Sequence, residues 1–199
     1  MKTSGLRITI CTLILSLLML SGVWGQVTYT WNGATSQSWD EQTNWTPSGP
    51  PGTPTYPVAG DTAIFNTMAT VDISSNPTVN TLTIVGTGDL TLTGSGTLTA
   101  SNDLTVGGTL STGANAITIN GTTTGGGTWT AGTGTVTVGG DFGATAFSQV
   151  SGTLILNGTT GSFNPGGPLG SLELGAGANV TLGAAVTLTG DWTDNGGTF

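Results

Sequence analysis

From about residue 80 onward, apolar and hydroxyl residues alternate with a period of two in short runs: Leu82-Thr83-Ile84, Leu90-Thr91-Leu92, Leu104-Thr105-Val106 and Val136-Thr137-Val138 are examples. Alternation at this period puts one set of side chains inside and the other in water, so each run predicts a half-buried strand. Almost nothing follows the period of a helix. Each run is followed two residues later by Gly or Ala, and Ile117-Thr118-Ile119, Leu154-Ile155-Leu156, Leu172-Glu173-Leu174 and Val186-Thr187-Leu188 complete the series. The runs start at Leu82, Leu90, Leu104, Ile117, Val136, Leu154, Leu172 and Val186, a spacing that is irregular but bounded. A strand-turn unit that recurs in this way predicts an all-β chain wound into a β-solenoid, its coils stacked over a shared core.

A second echo accompanies the strands. Gly88-Asp89-Leu90, Asn102-Asp103-Leu104, Gly140-Asp141-Phe142 and Gly190-Asp191-Trp192 each set an Asp between a small or turn-forming residue and a large apolar one. Gly and Asn accept positive φ and an Asp can bond nearby backbone, so the triplet predicts a corner followed by an inward anchor. The competing reading is a calcium ligand. Calcium-binding solenoids use a dense Gly/Asp nonapeptide, whereas Asp89, Asp103, Asp141 and Asp191 are single carboxylates set far apart, and turn chemistry is the reading favoured. No metal or cofactor is therefore expected.

The stretch from Met1 to Asn66 breaks the pattern. Lys2 and Arg7 precede an apolar run from Ile8 to Leu20 that contains Cys11, and positions 1–25 read as a cleaved secretory signal peptide, with the mature chain starting near Gln26. That run is too short to span a membrane as a helix, and no later segment is continuously apolar. In residues 26–66, Trp31, Trp39 and Trp45 lie close together and are followed by Pro47, Pro50, Pro51, Pro54 and Pro57. Proline is excluded from central strands, and the first coil of a solenoid needs a lid over its open backbone edge. The segment predicts an N-terminal cap with the three tryptophans covering the end of the stack; the alternative is a sugar-stacking platform of exposed rings. Residues 67–199 are assigned to the solenoid. The sequence stops at Gly196-Gly197-Thr198-Phe199 straight after a repeat unit, and a longer protein that continues the repeats is expected.

Charge narrows the chemistry. The chain holds two cations and ten carboxylates; both cations lie in the leader, so positions 26–199 carry a net charge of −10 with no Lys, Arg, His or Cys. Nucleic acid and anionic membrane surfaces are repelled. Disulfides are excluded, and nucleophilic triads lack a base. Lyase chemistry lacks its cationic groups. Paired-carboxylate hydrolysis needs two acids across a cleft, and apart from the adjacent Asp40 and Glu41 the acids are scattered singly. A non-catalytic protein is expected, with a polysaccharide-degrading enzyme as the distant alternative.

Tyr29-Thr30-Trp31-Asn32-Gly33, Trp39, Asn44-Trp45, the Pro/Gly-rich loop, Gly60-Asp61-Thr62-Ala63-Ile64-Phe65 and Val79-Asn80-Thr81-Leu82-Thr83-Ile84 together resemble bacterial surface proteins with autotransporter-associated β-strand repeats. Gly132-Thr133-Gly134-Thr135-Val136-Thr137-Val138 and Gly190-Asp191-Trp192-Thr193 resemble the same group and, more loosely, the filamentous-haemagglutinin-like exoproteins. The resemblance covers nearly all of positions 28–199. It implies a right-handed parallel β-helix exported to the cell surface, and it supplies no catalytic residues. The outer-membrane barrel that such proteins carry at their carboxyl end has no counterpart in these 199 residues.

The expected function is a secreted or cell-surface stalk or adhesin-like module whose partner is extracellular carbohydrate or a surface protein. Loops from Gly143 to Val150 and from Gly161 to Gly170 interrupt the alternation, and Phe147, Phe163 and Pro165 read there as apolar contact tips. The recurring Thr-x-Thr pattern, as at Thr91/Thr93 and Thr135/Thr137, also fits an ice-binding array. Irregular unit lengths are the argument against a flat lattice.

Overall fold

The computed structural model describes residues 25–52, 54–143 and 146–199; the expected leader and Cys11 lie outside them, apart from Gly25 at the leader's end. The chain winds as a β-solenoid of about seven turns. Three parallel sheets run along the stack, and coils in its middle contribute one strand to each. The first sheet stacks Thr28–Trp31, Thr62–Phe65, Thr81–Ile84, Leu104–Val106 and Thr123–Thr124. The second stacks Met68–Asp72, Asp89–Thr93, Thr109–Gly113, Thr128–Ala131 and Ala146–Gln149. The third runs from Thr78–Val79 through Thr97–Ala100, Ala116–Ile119, Val136–Val138, Thr153–Leu156 and Ser171–Leu174 to Trp192–Asp194.

This arrangement explains the uneven spacing of the repeats. The coil is the true period: Leu82 lies opposite Leu104 on the first sheet, and Trp129 lies opposite Phe147 on the second. The long intervals, from Ile117 to Val136, Leu154 and Leu172, are whole coils on the third sheet. The short interval from Leu82 to Leu90 is a step from one face to the next. Coils of different length keep a common register over most of each pairing, with register shifts inside Thr109–Gly113 and Thr159–Phe163. Through most of the stack each strand buries one of its two alternating sets. The second-sheet file Ala69, Leu90, Leu110, Trp129 and Phe147 runs straight up the core, its last four side chains 0% exposed. Burying each Leu, Ile, Val or Phe of such a file contributes roughly 1.5–3 kcal/mol relative to an exposed position.

Three of the four corner triplets meet the expectation for their anchors, while Trp192 in the fourth is 42% exposed, and none meets it for its first residue. Leu90, Leu104 and Phe142 are buried. Yet Gly88, Gly140, Gly190 and Asn102 do not adopt positive φ. At Gly88 and Gly140 smallness serves contact between coils instead: a Cβ on Gly88 would strike the Phe65 carbonyl, and one on Gly140 the backbone of Gly121.

The stack begins inside the segment read as the cap. Thr28–Trp31 and Thr62–Phe65 already pair in parallel with each other, and the second pairs with Thr81–Ile84. The irregular part narrows to the excursion between them, residues 32–61. From it Trp45–Pro47 returns antiparallel to Thr28–Trp31 and forms the outermost strand of the first sheet. Pro47 on this edge agrees with the rule that keeps proline out of central strands.

Candidate functional site

Two features of the rod could meet a partner: the sealed first coil and the outward faces. At the first coil, Trp39 is fully buried and Trp31 and Trp45 nearly so. Their rings interlock around Phe65, with centroids 5.0 Å apart for Trp31–Trp45, 4.9 Å for Trp39–Trp45 and 5.5 Å for Trp45–Phe65. The Trp39 indole N–H donates to the Pro57 carbonyl at 3.2 Å and that of Trp45 to the Trp39 carbonyl at 2.8 Å. The rings act as the lid; their burial removes the sugar-platform alternative, because no ring face is left for a sugar to stack on.

The residue that shapes this lid carries no local sequence signal of that role. Asn44, fully buried, accepts from the backbone N–H of Thr35 and Ser36 and donates to the Ser38 carbonyl at 3.0 Å. Its own carbonyl accepts from Asn32 N–H at 2.8 Å. One side chain thus ties down the loop that carries Trp39. Asp61 plays a similar part, accepting from the N–H groups of Val27 and Val58 at 3.1 Å each. Asp61 also bears on Tyr29: burial first, then this carboxylate, raises the phenol above its ordinary value of 10.0, while a backbone hydrogen bond from Gly52 acts in the opposite direction.

Beside the cap, Asp40, Tyr56, Ser75 and Asn76 border a shallow groove of about 310 Å³. Asp40 accepts from the Ser75 hydroxyl at 2.9 Å, while the neighbouring Glu41 turns to Thr43, accepting from its N–H and its hydroxyl. Those bonds, the hydroxyl's first, hold Glu41 below the usual carboxylate range. The two adjacent acids therefore have separate partners, which is unlike a catalytic pair sharing a cleft. Other carboxylates stitch turns: Asp72 accepts from the Ser74 hydroxyl and N–H, which lowers its pKa, and Asp103 from Thr122 N–H one coil on.

The outward faces are hydroxylated in register. On the second sheet Thr70, Thr91, Ser111, Thr130 and Ser148 occupy matching positions in consecutive coils. The third sheet aligns Thr78, Thr99, Thr118 and Thr137. On the first, Thr83, Thr105 and Thr124 align, and the last two hydroxyls are 3.3 Å apart. Coil spacing sets the repeat along each file at about 4.8 Å.

The apolar contact tips require correction. Phe147 and Phe163 are 0% exposed, and the segments that hold them are strands, Ala146–Gln149 and Thr159–Phe163. With Trp129 and Phe142 they make a second aromatic cluster inside the rod, at centroid distances of 5.0 to 6.0 Å. Phe147 continues the inward file one coil after Trp129, so its ring has nowhere to point but the core. Of the three, Pro165 alone reaches the surface, half-buried. Ala144 and Thr145, in the loop read from Gly143 to Val150, lie outside the described residues.

Among the described residues no helix is long and apolar enough to cross a membrane. Comparison with protein-family models, with curated proteins and with solved structures finds no match.

Proposed function

We propose that the chain is a secreted or cell-surface β-solenoid that acts as a structural stalk or adhesin-like module without catalytic activity. The observation that carries this reading is the continuous register of the three sheets, which makes a stiff rod with a sealed first coil and hydroxyl files facing outward. A rod of this kind sets a distance and presents a repeating surface. The leader-like stretch from Met1 to Gly25, the absence of basic side chains beyond it and the resemblance to surface-protein repeats agree with export. The carboxylates engaged in turn and cap hydrogen bonds agree with a scaffold more than with hydrolysis. The second sheet, with its hydroxyl file from Thr70 to Ser148, is the face assigned to extracellular carbohydrate.

The test has two arms. Expression in a bacterial host that secretes proteins should yield an extracellular polypeptide starting near Gln26, and that polypeptide should bind neutral glycans on an array without shortening them. Retention inside the cell, or release of shorter sugars, would overturn the reading.

One observation favours a second reading, an ice-binding face. The objection that uneven repeats spoil a lattice is weaker on the second sheet, where the hydroxyl file from Thr70 to Ser148 stays in register although the register shifts between Ser111 and Gly113 just beyond it. Thermal hysteresis that is lost on Thr91→Val and Thr130→Val would select it over the carbohydrate reading; its absence in the unaltered protein would remove it.

A further inference from the structure

The middle of the rod is not wholly apolar at the corner between the second and third sheets. The pairing there steps from Ser111 opposite Thr130 to Gly113 opposite Ala131. Thr112 therefore has no residue across from it, and its side chain turns into the core, 0% exposed. Among the described residues, Thr112 Oγ1, Asn115 Oδ1 and Gln149 Oε1 are buried without a hydrogen-bond partner. Folded chains pair nearly all such atoms, with protein or with ordered water, because leaving them bare is costly.

The bonds around these atoms fix their orientation. Asn115 donates its backbone N–H and its side-chain amide to the Thr112 carbonyl, at 2.9 and 3.2 Å. The Gln149 amide donates to the Gly134 carbonyl at 2.9 Å. Turning either amide over would set oxygen against oxygen, so Asn115 Oδ1 and Gln149 Oε1 are the ends left over, and both are acceptors only.

Topology brings the three together. Gly113, Ala131 and Gln149 occupy matching positions in consecutive coils. Gly134 packs directly on Asn115, whose backbone carbonyl a Cβ there would strike. The Asn115 amide thus lies at the level of the first of these coils, and the Gln149 amide reaches back from the third to the second. At this corner the second coil buries only Ala131 and Gly134, so a single methyl group stands between the two amides. Adjacent coils are about 4.8 Å apart. That separation is too long for a direct hydrogen bond and suits one water that makes two bonds of about 2.8 Å.

The hydrogen inventory selects water over an ion. Two acceptors need donors, and the Thr112 hydroxyl can donate. A water gives one proton to each amide oxygen and accepts the hydroxyl's, a set of three bonds typical of an internal water. A cation needs six or more oxygens; the Thr112 and Gly134 carbonyls are already engaged, and a cation would leave the hydroxyl proton without an acceptor.

We propose that this corner is a binding site for one water molecule, held by Thr112 Oγ1, Asn115 Oδ1 and Gln149 Oε1. The water bonds to the first and third of three consecutive coils across the second, and it satisfies the residue that the register shift leaves unpaired.

The test is a crystal structure of the full chain at a resolution that shows ordered water, from crystals grown with sodium and calcium chloride and, separately, with choline chloride. A double-mutant cycle of Thr112→Val and Gln149→Met in chemical denaturation accompanies it. The expected result is one density peak in both salts, about 2.7–3.2 Å from each of the three atoms. The two substitutions should be coupled by at least about fivefold in the unfolding constant, because they remove partners of the same water. Absence of the peak, a peak that misses any of the three atoms, or additive substitutions would overturn the proposal. A peak seen only with the metal salts and ringed by six or more oxygens at about 2.3–2.6 Å would also overturn it, by making a cation the occupant. If either variant fails to fold, the peak in the unaltered chain decides alone.

Discussion

Trp45 hands its indole N–H to the backbone carbonyl of Trp39 at 2.8 Å, across rings whose centroids are 4.9 Å apart. Packing and polarity are satisfied by the same pair, so the lid can exclude water without leaving a buried donor unpaired. Trp45→Phe should lower stability by about 0.5–1.5 kcal/mol through the lost hydrogen bond. Trp45→Ala should cost about 3–5 kcal/mol through the cavity as well. Denaturant titration separates the two: a neutral Trp45→Phe would mean that the N–H bond contributes nothing, and equal effects that the ring's packing contributes nothing.

Phe163 and Pro165 make opposite predictions although they are near neighbours in the chain. Phe163→Ala removes a fully buried ring and should destabilise the fold by about 3–5 kcal/mol. Pro165→Ala, at a half-buried site, should change stability by no more than about 0.5 kcal/mol. Loss of ligand binding in a Phe163 variant would accordingly report a damaged core, and thermal melts run beside the binding assay would reveal it.

Glycines at the corners divide into two kinds. A Cβ on Gly108 would collide with the Gly88 carbonyl of the preceding coil, whereas one on Gly126 meets nothing within 4 Å. Thr109 N–H donates to that same Gly88 carbonyl at 2.9 Å, so the coils cannot move apart without breaking the ladder. Gly108→Ala should cost about 1–3 kcal/mol, and Gly126→Ala should be neutral to within about 0.5 kcal/mol. Chemical denaturation of the two variants is the check; similar midpoints would refute the close-approach argument.

The Tyr29 phenol sets an alkaline limit. Its pKa is raised in the folded protein by burial and by Asp61, so the folded state keeps the proton after the unfolded state has lost it. Its stabilising contribution is complete below the ordinary value of 10.0. A raised folded pKa means that the unfolded state releases its proton first, so stability declines as pH rises from there through the folded value. Tyr29→Phe should flatten this alkaline loss in melts recorded above pH 10.0. Asp72 and Glu41 have lowered values, and their contributions have the opposite sense, present at neutral pH and lost as pH falls.

The alternation at Leu82-Thr83-Ile84 and its kin is enough to read the solenoid and seven of the eight expected strands, whereas Val186-Thr187-Leu188 forms no strand and makes only an isolated bridge from Leu188 to Leu169. The lid is readable from Trp31, Trp39, Trp45 and the prolines. The assignment of strands to faces is not: Leu82 and Leu90 are close in sequence yet belong to different sheets, and nothing local distinguishes a corner from a turn between repeats. Phe147 and Phe163 mislead for a related reason. Each strand around them buries large aromatic side chains among Gly, Ser and Thr, so the apolar alternation fades although the inward register persists. Asn44 matters through the folded-back loop that it ties down, a role that its place in the sequence does not reveal.

The antiparallel return of Trp45–Pro47 sets the first coil apart from the windings that follow it. Duplication or deletion of a whole winding between that strand and Trp192 would leave the first coil chemically unaltered. Each such event would lengthen or shorten the shaft by about 4.8 Å. Reach is consequently a quantity that evolution, or an engineer, can adjust in uniform steps without redesigning the first coil.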